Sequence, residues 1–112
     1  MNKFLTLTFC MPLLPWLALG QGQSVAVVYN SKLAPSKIIA EHYAKQRNVP
    51  PNNLIGLPLS DGHTIRRAEF TSTLEQPLAK ALAGRKLLDG QKGSIRYLVL
   101  CWGVPFRVNK DA

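Results

Sequence analysis

The chain has 112 residues, a formal net charge of +8 at neutral pH and only two cysteines. This length allows one small domain. Adjacent arginine and lysine residues occur only as pairs, Arg66-Arg67 and Arg85-Lys86, without interleaved aromatic side chains. Because that pattern is not typical of a nucleic-acid-binding surface, we expect no nucleic-acid partner. The positive charge instead favours a solvated basic face or loose attraction to anionic polymers of a cell envelope.

The N-terminus has the organisation of a secretory signal peptide. Lys3 precedes an apolar run over residues 4–19, which ends in the small-residue pattern Ala18-Leu19-Gly20. This pattern predicts removal of residues 1–20 and an exported protein, periplasmic or secreted. The alternative is an uncleaved N-terminal membrane anchor. Because the run is shorter than the ~20 residues that span a bilayer and contains two prolines, we expect no stable membrane span after cleavage.

Residues 24–59 predict a strand, a helix and a second strand. The β-branched run over residues 25–29 is typical of a strand buried on both faces. Ser36 suits a helix N-cap, and the helix is predicted over residues 37–47. The prolines that follow at positions 50 and 51 prevent its continuation. Its inner face is predicted to carry Ile39, Ala40, Tyr43, Ala44 and Arg47. The second strand is predicted over residues 53–59. Because Pro58 cannot donate a ladder hydrogen bond, the strand should end there or lie at an edge of the sheet.

The remaining sequence predicts a second helix and a third strand. Residues 60–63 form a polar turn, and residues 67–88 have helical spacing with a kink or a new helix start at Pro77. Residues 89–93 are predicted to be a flexible loop, and residues 95–102 a strand. The resulting β-α-β-α-β order indicates the α/β class, as the front half of a parallel, doubly wound (Rossmann-like) sheet.

The chain reaches Ala112 a few residues past its third predicted strand, with no closing helix. A parallel sheet needs both faces and its edges covered. We therefore interpret residues 21–112 as the N-terminal part of an α/β domain that is truncated. Removal of residues 1–20 would leave Cys101 as the only cysteine and exclude an intrachain disulfide, so that stability must come from a packed core.

A set of spaced residues resembles an uncharacterised family of exported bacterial proteins, whose motif has the form N…S..IA..Y...R.VP..N. The residues that match it are Asn30, Ser36, Ile39, Ala40, Tyr43, Arg47, Val49, Pro50 and Asn53, and the similarity continues to Val108. Members of that family are longer than this chain, which supports the interpretation as an N-terminal portion. The family has no established activity, so the resemblance implies no catalytic residue.

Four residues that follow predicted strands are the candidates for a ligand-binding site: Asn30, Ser31, Asp61 and Gly103. Because the carboxyl ends of parallel strands meet at one edge of a sheet, we expect these residues to converge. The alternative role for Asn30 and Asp61 is capping of their own loops. No metal site is predicted, since Asp61 and His63 are fewer than the three or four ligands that a site needs. No cofactor is predicted, since no glycine-rich phosphate loop follows the first strand.

Cys101 is the candidate nucleophile, because it lies at the carboxyl end of a predicted strand. A nucleophilic cysteine needs a neighbouring base, and neither His42 on the first helix nor His63 in a turn is predicted to adjoin it. A buried, inert thiol is the favoured interpretation. The catalytic residues, if any, stay unknown.

Three functional classes follow from these observations. The first is a non-enzymatic exported α/β domain that binds a ligand or a surface polymer. The second is the opening segment of a hydrolase similar to caspase- or gingipain-like peptidases, with its catalytic residues beyond Ala112; this is an analogy at the level of fold. The third is a non-functional gene fragment. The sequence by itself does not identify a partner, a substrate or an oligomeric state.

Overall fold

The computed structural model describes residues 22–110 of the chain. The predicted signal peptide, with its alternative as a membrane anchor, lies outside these residues. Between residues 22 and 110, no helix combines the length and the apolar character that a membrane crossing requires.

Seven strands form within the described range, and three of them build the central parallel sheet. They are β1 (Val25–Asn30), β2 (Leu54–Leu57), β3 (Thr64–Arg66), β4 (Leu88–Asp89), β5 (Lys92–Gly93), β6 (Tyr97–Leu100) and β7 (Arg107–Asn109). The central sheet has the order β2-β1-β6, with Val27 opposite Leu54 on one side and opposite Val99 on the other. The mixed helices and strands with a small parallel sheet confirm the α/β class.

The helices are α1 (Ala34–Arg47), a 3-10 turn (Pro51–Asn53), α2 (Arg67–Glu69), a π-helical segment (Phe70–Glu75) and α3 (Gln76–Gly84). Helix α1 ends at Arg47 as predicted, because Asn48 turns into the left-handed region with φ 58° and Pro50 follows. The inner face of α1 is narrower than predicted. Ala40 and Ala44 are buried and Tyr43 is half-buried, whereas Ile39 and Arg47 are exposed.

The prediction that Ser36 caps α1 is wrong. The helix begins at Ala34 with Leu33 at the N-cap position, and Pro35 lies in the first turn. Proline suits that turn because a first-turn residue has no intrahelical use for its N–H. Ser36 is fully buried, and its hydroxyl oxygen accepts a hydrogen bond from the backbone N–H of Asn30 at 2.9 Å. The serine therefore ties α1 to the end of β1.

Helix 67–84 passes through a π-helical segment immediately before Pro77. Proline has no N–H to donate to the carbonyl four residues earlier, and its ring crowds that carbonyl. The wider π turn over Phe70–Glu75 removes this conflict, and α3 then starts at Gln76 with Pro77 in its first turn. The predicted disturbance at Pro77 is confirmed. The predicted end at residue 88 is wrong, because Lys86 adopts φ 59° and Leu87 donates its N–H to the Leu82 carbonyl, which closes the helix at Gly84.

Side chains of β1 alternate between two apolar clusters, one on each face of the sheet. Val27 packs on one face with Ala40 and Ala44 of α1. Ala26 and Val28 pack on the other face, where Leu74 and Leu82 of helix 67–84 join the cluster. Burial of β1 on both faces explains the continuous run of valine, alanine and tyrosine over residues 25–29.

Short strands occur where the sequence predicted only turns and loops. β3 and β7 pair in parallel, with Ile65 opposite Val108. β4 and β5 form a small antiparallel hairpin, so the prediction of a flexible loop over residues 89–93 is wrong. Gly90 at φ 63° provides the left-handed conformation that this tight turn requires. Strands of two or three residues carry too little periodic pattern for a sequence-based prediction.

Candidate functional site

The loops that follow β1, β2 and β6 meet at the carboxyl edge of the central sheet, as the sequence predicts. Asn30 is the residue that holds them together. Its side-chain amide group donates to the carbonyl of Leu59 at 3.1 Å and to the carbonyl of Gly103 at 3.0 Å. Its side-chain oxygen accepts the backbone N–H groups of Lys32 at 3.0 Å and of Leu59 at 3.2 Å.

All the hydrogen-bonding groups of the Asn30 side chain are thus directed at backbone, and the residue is fully buried. A buried amide with two donated and two accepted bonds has little capacity left for a ligand. Asn30 therefore positions the edge rather than contacting what binds there. This is the loop-capping role that the sequence left open as the alternative.

Ser31 lies one residue beyond the end of β1, on the surface. Its backbone N–H donates to the carbonyl of Leu57 at 2.8 Å and so extends the β1–β2 ladder. Its side chain is exposed and is not among the residues that line the neighbouring cleft. Of the four predicted site residues, Asp61 and Gly103 are the two that the structure brings together at that cleft.

The cleft has a volume of about 250 Å³ and is lined by five residues of two loops. Asp61, Gly62 and His63 come from the loop after β2; Trp102 and Gly103 come from the loop after β6. Gly62 at φ 119° and Gly103 at φ 98° adopt backbone conformations that other residues rarely reach. One glycine in each loop thus turns the chain beside the cleft.

Contacts through His63 fasten the two loops to each other. The His63 carbonyl accepts the backbone N–H groups of Phe106 at 3.0 Å and Arg107 at 3.1 Å. The imidazole packs against the Phe106 ring with 5.5 Å between ring centroids. β3 and β7, which pair with each other, come directly after these two loops in the chain. The cleft walls are therefore linked by backbone as well as by side chains.

The side chains in the cleft combine an aromatic face with polar groups. The Trp102 side chain is 57% exposed, which is unusual for the largest apolar side chain. Asp61 offers carboxylate oxygens, and His63 offers ring nitrogens that accept or donate a hydrogen bond. Within the part of the chain that the structure describes, no group of three or more histidine, cysteine, aspartate or glutamate side chains is placed to hold a metal ion.

Cys101 adjoins Trp102 in sequence but belongs to the core. It is buried among Val27, Ala40 and Ala44, and its backbone N–H donates to the Val28 carbonyl at 2.9 Å. Burial raises the pKa of the thiol, because desolvation disfavours the thiolate. A thiol held in its protonated form is a poor nucleophile. The prediction that Cys101 is buried is confirmed.

Trp102 is the site residue that sequence reasoning missed, because it was assigned to the end of a buried strand. β6 ends at Leu100, two residues earlier, and the indole faces solvent. Gly103 is the sequence signal that could have placed Trp102 outside the strand, because a glycine at this point marks a turn. Comparison with family models, with curated proteins and with solved structures finds no match for this chain.

Proposed function

We propose that the protein is an exported, non-enzymatic α/β domain that binds a saccharide unit of an envelope polymer in the cleft of Asp61, His63 and Trp102. The observation that carries this proposal is the exposed indole of Trp102 beside a carboxylate and an imidazole in one cleft. A flat aromatic ring packs against the apolar face of a sugar ring. Carboxylate and imidazole groups hydrogen-bond its hydroxyls.

The position of the cleft supports the same proposal. Open parallel sheets bind their ligands outside the carboxyl ends of the strands. β1 is the central strand, and helices cover both faces of the sheet, which favours the front half of a doubly wound, Rossmann-like fold. Membership of the exported family that the sequence resembles, and export itself, belong to this proposal.

The size of the cleft and the net charge of the chain restrict the class of ligand. The cleft volume of about 250 Å³ is below the ~300–1,000 Å³ of pockets that enclose a drug-sized molecule. A single sugar unit of a longer polymer fits this size better than a free cofactor. The net charge of +8 favours a polymer that also carries anionic groups outside the cleft. Binding is proposed rather than hydrolysis because Asp61 is the one carboxylate among the described residues that line the cleft, whereas glycoside hydrolysis uses a pair of carboxylates.

Intrinsic fluorescence tests the proposal directly. The chain has two tryptophans, so Trp16→Phe in the full chain leaves Trp102 as the only one. We expect a saturable change in its emission on titration with N-acetylglucosamine trimers or with anionic alginate oligomers. An affinity of about 0.1–1 mM, corresponding to about 4–5.5 kcal/mol, is typical of so shallow a contact.

Two carboxylate variants in the Trp16→Phe background locate the effect. Asp61→Asn should weaken saccharide binding severalfold, because the amide loses the charge-assisted hydrogen bonds of the carboxylate. Asp89→Asn is the matched control, since Asp89 is exposed and does not line this cleft. Absence of a saturable change with both saccharides, or equal weakening by both variants, would contradict the proposal.

A further inference from the structure

Two arginine side chains make no contact with the rest of the protein. The chain has six arginines, and four of their guanidinium groups have partners. Two lie over aromatic rings and two donate to backbone carbonyls, and they belong to Arg47, Arg67, Arg85 and Arg96. Within residues 22–110, the guanidinium groups of Arg66 and Arg107 make no hydrogen bond, ion pair or ring contact. Both side chains are exposed and so are open to a ligand from solution.

The pairing of β3 with β7 places these two arginines on one face of a two-stranded ribbon. Thr64 is opposite Arg107, and Arg66 is opposite Asn109. Side chains alternate along a strand, and directly paired residues lie on the same side of a sheet. The four residues therefore form one surface, the basic face of the ribbon. The middle pair of the register belongs to the opposite face, where one side chain is buried and the other half-buried.

The basic face has two positive charges close together and no carboxylate to offset them. Neighbouring strands lie about 4.8 Å apart and rise about 3.3 Å per residue, so the Cα atoms of Arg66 and Arg107 are about 8 Å apart. Neither β3 nor β7 contains an aspartate or a glutamate. Glu69, which follows β3, accepts a hydrogen bond from the Ser60 hydroxyl at 3.4 Å. The two arginines therefore repel each other, and an anion held between them offsets this repulsion.

The basic face begins directly beside the cleft. His63 lines the cleft and precedes Thr64, the first residue of β3. The His63 carbonyl accepts the backbone N–H of Arg107 at 3.1 Å. Arg66 lies three residues beyond His63, which is about 10 Å along an extended chain. A polymer with one sugar unit in the cleft therefore reaches the basic face with a neighbouring unit.

We infer that the basic face binds the carboxylate of an acidic sugar unit that adjoins a neutral unit in the cleft, which rests on the function proposed above. A guanidinium group donates two parallel hydrogen bonds to a carboxylate, and such charge-assisted bonds are stronger than neutral ones. Asp61 disfavours a second carboxylate inside the cleft, because like charges repel. The ligand class is therefore an acidic polysaccharide in which neutral and carboxylated sugars alternate.

Calorimetric titration of the full chain with two tetrasaccharides tests this inference. Hyaluronan tetramers alternate N-acetylglucosamine with glucuronate, whereas N-acetylglucosamine tetramers carry no charge. Wild type should bind the hyaluronan tetramer about tenfold more tightly than the neutral one. This preference should disappear in about 1 M NaCl, because salt screens exposed charges. Arg66→Gln combined with Arg107→Gln should bind the two tetramers with equal affinity.

A second double variant separates the basic face from the net charge of the chain. Lys37→Gln combined with Lys45→Gln removes the same charge from exposed positions on α1. It should keep the tenfold preference for hyaluronan. Equal loss of the preference in both double variants overturns the inference, and so does a wild-type chain without any preference.

The indole emission of Trp102 in the Trp16→Phe background distinguishes failure of this inference from failure of the cleft. A saturable response to the neutral tetramer without a preference for hyaluronan leaves the cleft in place and overturns the basic face alone. Hyaluronan binding that requires both arginines but leaves the indole emission unchanged supports the basic face and contradicts the cleft.

Discussion

Asn30→Ala should be among the most damaging single substitutions in the described part of the chain. The substitution removes four hydrogen bonds, and two of them satisfy the N–H and the carbonyl of the buried Leu59. Each buried backbone group left without a partner costs about 1–3 kcal/mol. The groups of Lys32 and Gly103 are only partly buried and can turn to water. We therefore expect a loss of about 2–6 kcal/mol, against a total stability of about 5–15 kcal/mol.

Urea unfolding of the full chain, followed by circular dichroism, measures this loss. A decrease of that size lowers the transition midpoint by at least about 1–2 M. Asn52→Ala is the matched control, because Asn52 is exposed, and its effect should stay within about 0.5 kcal/mol. A loss below about 1 kcal/mol for Asn30→Ala would show that the carboxyl edge of the sheet does not depend on this side chain.

Asn30→Asp separates loss of the donor from loss of volume. The new carboxylate keeps the acceptor for Lys32 and Leu59, but its second oxygen faces two carbonyls, those of Leu59 and Gly103. Burial and these carbonyls raise the pKa of the introduced carboxyl above its ordinary value of about 3.9. Because only the folded-state pKa is raised, the variant keeps its stability below about pH 3.9, where the carboxyl is protonated in both states. It loses stability as pH rises through the folded-state pKa. The gap to wild type should therefore widen from pH 4 to pH 7; a gap that stays constant would contradict the hydrogen-bond assignment.

Three further predictions concern single residues. Gly103→Ala should lower the free energy of unfolding by about 1–2 kcal/mol, because φ 98° is strained for alanine and its Cβ would lie 3.2 Å from Ser36. Gly84→Ala should instead raise the free energy of unfolding by about 0.5–1 kcal/mol, because a helical Cβ there meets nothing within 4 Å. The urea midpoints of the two glycine variants, compared with wild type, test both predictions. Burial raises the pKa of the Cys101 thiol, so stability should fall as pH rises above 9.0, and Cys101→Ala should remove this dependence in unfolding series at successive pH values.

The sequence predicted the central strand and the first helix well, because both have strong periodic patterns. Residues 25–29 are continuously apolar or aromatic, with three valines, and β1 covers them. The stop at Arg47 followed from proline chemistry, which acts locally. The start of α1 was misplaced because Ser36 has two possible uses for its hydroxyl. It bonds to Asn30, six residues away, and no local rule contains that contact.

The candidate site was predicted in position but not in composition. The expectation that Asn30 and Gly103 converge holds, since the Asn30 amide donates to the Gly103 carbonyl. The cleft itself depends on where β6 ends, because Trp102 leaves the core only if the strand stops at Leu100. That boundary is set by pairing with β1 and by the turn at Gly103, so it was not evident from hydrophobicity.

The most direct test of the proposed function is the indole N–H resonance of Trp102 in ¹H–¹⁵N spectra. With Trp16→Phe in the full chain, this resonance is the single indole signal. The account predicts that N-acetylglucosamine trimers or alginate oligomers shift it progressively to saturation, together with the backbone signals of Gly62 and Gly103. Saturable shifts that map to other residues and leave this resonance unmoved would contradict a saccharide site in the cleft.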